Sequence, residues 1–214
     1  MTWFFHPWFI LGLAFAISLF VAVLFASDTL VYGGAVFAFY LAALADGALA
    51  VSGTYRFAVG FSVRRRDYLL GTMTMAIGVS AVWAILLVLL SLIEANLIPH
   101  WGVNLYFFHF PFFSDGSAAV QFWVYFALLL FNYFFGFAIG SVYQRFGQAG
   151  TWMLAGALVV LLGGFSLLSF RWNWWSAIFT WLGHQTAASL ALWLLPLIAG
   201  FGLASYALLR KATA

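Results

Sequence analysis

Six apolar runs, each about 20 residues long and closed by a short polar or turn-forming break, dominate this chain. A run of that length matches the hydrocarbon thickness of a bilayer when it is helical. Inside lipid the backbone finds no water, so only helices and closed barrels satisfy every N–H and C=O. Barrel strands alternate polar and apolar residues. The runs here are continuous, so the crossing units are helices. Charge scarcity points the same way. Only 6% of the 214 residues are charged and 66% are hydrophobic, against about 25% charged in soluble domains. A soluble enzyme is excluded, and so is a disordered chain, which needs low hydrophobicity and high charge. The expected fold is all-α: one polytopic transmembrane domain over residues 1–214.

The expected spans are 9–26, 31–54, 68–93, 120–142, 151–170 and 186–209. With the amino terminus inside, one face holds Arg56, Arg64, Arg65, Arg66, Arg145, Arg210 and Lys211, and the other only Arg171. The positive-inside bias therefore places both termini in the cytoplasm and favours an even number of spans. The net charge of +3 belongs to that asymmetry, and no nucleic-acid partner is expected. No basic start or small-residue cleavage site marks a signal peptide, so the first run is expected to stay as an anchor. Absence of cysteine excludes disulfides, thiolate metal sites and thiol nucleophiles.

Three aromatic segments flank the spans. Trp3, Phe4, Phe5 and Trp8 precede the first, with Pro7 at its start. Residues 94–118 carry Trp101, Tyr106, Phe107, Phe108, Phe110, Phe112 and Phe113, broken by Pro99 and Pro111. Residues 171–185 carry Trp172, Trp174, Trp175 and Trp181. Aromatic rings favour the headgroup region, so 94–118 reads as an interfacial loop, or alternatively as an outer gate. Residues 171–185 read as a short interfacial helix.

The segment 55–71, YRFAVGFSVRRRDYLLG, joins the second and third spans. Ser62 is placed to cap a helix starting near Val63, and Asp67 sits where a helix dipole favours an acid. One reading is a topology signal resting on anionic lipid; the other is a short helix that docks a cytoplasmic partner. Residues Gly60-Phe61-Ser62-Val63-Arg64-Arg65-Arg66-Asp67-Tyr68-Leu69-Leu70-Gly71, with the closing Tyr206-Ala207-Leu208-Leu209-Arg210-Lys211, resemble the permease subunits of bacterial ABC transporters of the type-2 exporter class. The resemblance implies a six-span subunit of the bacterial inner membrane, surrounded by lipid and working with a second permease copy, identical or related. It also implies a separate cytoplasmic ATPase that holds the ATP and Mg. In this chain no GxxxxGK[ST] is present, so it is not itself expected to be an enzyme or to carry a cofactor. By the same resemblance 60–71 couples to the ATPase, Phe61 and Tyr68 through apolar contacts and Arg64, Arg65 and Arg66 through polar ones. The loop 143–150, with Gln144 and Arg145, makes a minor contact. The amino-terminal lead is shorter than in many relatives, and the outer loop after the third span is longer.

Asp46 lies ten residues before Arg56, roughly 15 Å deeper at helical rise. An acid at that depth is partnered or functional. Thr72, Thr74, Ser80 and Asn132 are the polar candidates around it, and Asp46 with Asn132 forms the expected polar spot on a translocation path. His100, His109 and His184 near the outer face do not build a haem pair, and a metal site is not expected. Ser141 and His184 are placed at opposite ends of their spans, so a serine–histidine protease is rejected. Gly136 with Gly140, and Ala22 with Ala26, are steps that let helix backbones approach, within one subunit or between two. Pro196 is expected to kink the sixth span. A six-span vitamin-uptake component and a small enzyme of lipid metabolism remain alternatives.

Overall fold

The computed structural model describes residues 2–25, 31–33, 37–103, 105–109, 112–114 and 116–210. Asp28, Phe110, Pro111, Asp115 and Lys211 lie outside the described residues, as do the side chains of Trp3, Phe4, Phe5, Arg56, Pro99 and His100. The fold is all-α apart from one short strand pair. Helices α1 (Thr2–Phe25), α2 (Phe37–Ala50), α3 (Arg56–Gly60), α4 (Arg65–Asn96), α5 (Ala118–Arg171), α6 (Trp174–Gly183) and α7 (Ala187–Arg210) follow in order. Among the described residues, five helical stretches are long and apolar enough to cross a membrane. The architecture is that of an all-α, membrane-embedded protein.

Helix α2 passes through a π-helical turn, Val51–Tyr55, before it reaches α3. The expected second span begins at residue 31, but Val31–Tyr32 forms a strand (β1) paired in parallel with Leu105–Tyr106 (β2). The Gly33 amide extends that pairing by donating to Tyr106 O at 2.7 Å.

Helix α5 merges two expected spans. Its 54 residues break only at Gly147, where φ is 68° and ψ is −163°. Side chains with a Cβ avoid that conformation, and glycine adopts it at no steric cost. The expected loop 143–150 is thus reduced to one non-helical residue, with helix on both sides. Chain direction follows from the contacts of α7. Trp123 Nε1 donates to Ala188 O at 3.4 Å, Phe131 packs on Phe201, and Phe137 clusters with Leu209. Helix α7 therefore runs parallel to 118–146, and the residues between must carry the chain back to its starting end. Limb 148–171, about 36 Å at helical rise, does this. Its Val159, Val160, Leu161 and Leu162 are all exposed, as expected for a span facing hydrocarbon on most sides.

The tightest helix contact joins α2 and 118–146, also parallel. A Cβ on Gly47 would collide with the Tyr133 carbonyl, one on Gly136 with the Leu44 carbonyl, and one on Gly140 would lie 2.6 Å from Ala48 O. The GxxxG step therefore packs within the subunit. Ala22 is fully buried; Ala26 lies outside the described residues.

The long aromatic loop does not rest among headgroups. Leu105, Phe107 and Phe108 enter the main core with Leu11, Phe39, Trp83 and Tyr125. The Phe15 ring packs against Trp101 at 4.7 Å and Phe107 at 5.1 Å. What draws the loop inward is Glu94, 1% exposed at the end of α4. Its Oε1 accepts from Phe107 N at 2.8 Å and its Oε2 from Phe108 N at 2.6 Å. Two backbone amides thus satisfy a carboxylate that would otherwise be costly to bury. Residues 171–185 do form a short helix, α6, with no buried residue.

Candidate functional site

The basic end of the bundle collects most of the predicted site residues. Helix α3 closes in a Schellman arrangement: Ser62 N donates to Val59 O at 3.0 Å and Val63 N to Ala58 O at 3.1 Å. Ser62 holds the left-handed position, φ 60°. It therefore terminates the preceding helix, which corrects its expected role as a cap for the next one. Arg64 is the residue that precedes α4, and no side-chain cap bond forms there. Asp67 occupies the first turn of α4, as expected. Residues 60–71 are thus not one docking helix; they are the end of α3, a turn, and the first two turns of α4.

The three arginines separate in role. Arg65 turns inward, and its Nη1 donates to Leu209 O at 3.3 Å and Arg210 O at 2.6 Å. A cation at a helix carboxyl end complements the dipole and satisfies orphan carbonyls. Tyr55 OH donates to the same Leu209 O at 3.0 Å. Tyr68 also works inside the fold: its OH donates to Ala50 O at 3.0 Å and pairs with Thr54 Oγ1 at 2.9 Å. Thr54 Oγ1 reaches Ala50 O as well, at 2.6 Å. These bonds hold the π turn, whose widened ladder leaves a carbonyl for side chains. Arg64 stays exposed. Arg66 is exposed and rims a groove of about 480 Å³ between α4, α5 and α7.

Beside them, Gly60 and Phe61 are exposed. Phe57 and Phe61 stand 69% and 68% exposed and meet edge to face, centroids 4.6 Å apart. Gln144 and Arg145 are half-buried two turns past Phe137, at the same end; the Arg145 guanidinium lies 4.8 Å above the Phe146 ring.

Asp46 sits apart from this cluster. It is 6% exposed and lines a cavity of about 90 Å³ with Ala43, Met75, Ala76, Val79, Ser80, Trp83 and Tyr133. Asp46 Oδ2 and Trp83 Nε1 are both buried without a hydrogen-bond partner among the described residues. Of the polar neighbours named from the sequence, only Ser80 lines this space. Thr72, Thr74 and Asn132 each bond back to their own helix, at Tyr68 O, Leu70 O and Leu128 O. Asp46 and Asn132 therefore do not form one polar spot. Trp83 and Tyr133 were not singled out from sequence, although an indole in the middle of a span, away from both interfaces, is the signal that marks Trp83.

At the aromatic end, Ser91 Oγ lies 3.3 Å from His109 Nδ1, and Ser114 Oγ pairs with Tyr125 OH at 2.8 Å. Gln121 Nε2 donates to Ser114 O at 2.7 Å. This buried network ties the aromatic loop to α4 and α5. Among the described residues no group of three metal ligands assembles. Ser141 Oγ donates to Phe137 O at 2.8 Å within its own helix.

Long apolar helices, a basic end and a largely apolar cavity holding one buried acid define a membrane-embedded helical protein. No family model, curated protein or solved structure matches the chain in comparison.

Proposed function

We propose that the chain is the membrane-spanning permease subunit of an ATP-driven ABC exporter of the bacterial inner membrane, with six spans and both termini cytoplasmic. A second permease copy completes the path, and a separate cytoplasmic ATPase supplies ATP hydrolysis. The observation that carries the reading is the exposed Phe57–Phe61 pair beside exposed Arg64, on a five-residue helix and in the turn that follows it. An exposed apolar ring pair with exposed cations nearby in the chain suits a groove on a partner protein. The break at Gly147 and the parallel course of α7 support an even number of spans. In this reading movement of the docked ATPase pushes α3 and the start of α4. Arg65, Tyr55 and Tyr68 then pass that displacement to α7 and α2 through the carbonyls they hold. The docking role narrows to Phe57, Phe61, Arg64 and Arg66, with Gln144 and Arg145 beside them.

The test is a mild-detergent pull-down of the tagged protein from its native membrane, with native mass measurement. Wild type should bring down two permease copies and two ATPase subunits. The R64E/R66E variant, which leaves the Arg65 clamp intact, should keep its thermal midpoint and lose the ATPase. Capture of no ATPase by wild type, or equal capture by the variant, refutes the reading.

A further inference from the structure

The cavity at Asp46 has the makings of a ligand site. Its acid is nine-tenths buried, forms no ion pair among the described residues, and leaves Oδ2 unpartnered. His6, exposed on α1, is near enough for its field to reach Asp46 but makes no ion pair with it. A buried carboxyl group that forms no ion pair with His6 or any other described residue, beside free volume, leaves room for a cation from outside to pair with it. The volume of about 90 Å³ equals the liquid share of about three waters, enough for an ammonium group and the first carbons attached to it. Trp83 adds an unpartnered indole N–H on the same wall, a donor that an acid-binding cation alone would leave unused. Ser80 and Tyr133 bring hydroxyl-bearing side chains to the lining, and Ala43, Met75, Ala76 and Val79 make the rest of it apolar. Met75, 60% exposed, is the one exposed residue of the lining, so the cavity opens sideways from α4 toward the surroundings of the bundle, where apolar residues predominate. A ligand arriving that way is soluble in the bilayer.

We propose that this cavity binds the primary ammonium head of a membrane-soluble amphiphile, with Asp46 as counter-ion. Trp83 Nε1–H donates to an oxygen carried next to the amine, Ser80 lies within the same pocket, and the tail leaves past Met75. The site stands on the cavity alone; only its role as a cargo site rests on the exporter reading. The experiment therefore measures binding by the purified full chain, without any ATPase.

Decylamine, its amino-alcohol counterpart and decanol are titrated calorimetrically into the protein in one detergent. Decylamine should bind saturably to wild type, with affinity lower by about tenfold or more in Asp46→Asn. Decanol should show no saturable binding. Trp83→Phe should keep decylamine binding and abolish the preference for the amino alcohol. Met75→Trp, an exposed change that leaves the core intact, should weaken both amines. Equal decylamine binding by wild type and Asp46→Asn, or decanol binding as tightly as decylamine, overturns the proposal. If Asp46→Asn does not fold, unchanged affinity in Met75→Trp overturns it instead.

Discussion

Gly136→Ala tests whether α2 and α5 meet backbone to backbone. In most helices this exchange stabilises, because alanine is the better helix former by about 1 kcal/mol. Here the new Cβ would overlap the Leu44 carbonyl and lie 3.1 Å from Ala48 N. Both are backbone atoms, so no rotamer change relieves the clash. The milder case, Gly140→Ala, puts Cβ 2.6 Å from Ala48 O where 3.4 Å is ordinary, and so asks for a separation of about 0.8 Å. A gap of that size forfeits a quarter to a half of each contact's dispersion energy. Overpacking of this kind costs about 1–3 kcal/mol. For Gly136 we expect the upper figure, offset by propensity, for a net loss of about 2 kcal/mol. In a chain of this length that lowers the thermal midpoint by about 4–8 °C. Gly163→Ala is the control, since nothing lies within 4 Å of its added Cβ, and its midpoint should hold or rise. Tryptophan fluorescence against temperature, in one detergent, reads all three variants. A Gly136→Ala midpoint at or above wild type refutes the backbone contact.

Three further outcomes follow from the geometry. Glu94→Ala strands two buried amides, those of Phe107 and Phe108, at about 1–3 kcal/mol each; limited proteolysis should then cut residues 97–117 much faster than in wild type. Gly147→Ala forces a Cβ into a backbone region open essentially to glycine, at about 1–3 kcal/mol, and should lower the thermal midpoint while Gly163→Ala does not. Arg65→Gln removes a cation from the carboxyl end of α7, worth about 1 kcal/mol in a half-exposed setting, and should speed amide exchange in the last turn of α7 more than elsewhere.

Much of this fold was legible from local pattern. Apolar run length and the scarcity of charge determine an all-helical membrane protein, because a bilayer admits so few backbone solutions. Helix placement followed within a few residues for the third and sixth runs, whereas the first helix ends where expected but starts seven residues earlier, at Thr2. The short helix at 174–183 and the close backbone approach at the GxxxG step were readable as well, since each rests on residue type at close spacing; that the step packs within the subunit was not. The residues of the basic turn were legible as one group along the chain. Their division of labour was not: three adjacent arginines look alike in a sequence, and only the arrival of the α7 carboxyl end beside Arg65 separates a structural clamp from exposed neighbours.

What tertiary structure alone decided depends on partners distant along the chain. Glu94 reads as the end of a span, yet it is the anchor that turns an aromatic loop into core. Val31–Tyr32 reads as the start of a helix, yet it pairs with a strand more than seventy residues away. Asp46 reads as one isolated acid, and its cavity exists only because α2, α4 and α5 bring Trp83, Ser80 and Tyr133 around it. Hydrophobic run length is a property of one segment and its solvent, so it can be read in order. A cavity, a carbonyl clamp or a buried carboxylate's amide partners belong to several segments at once, and no local pattern encodes which of them will meet.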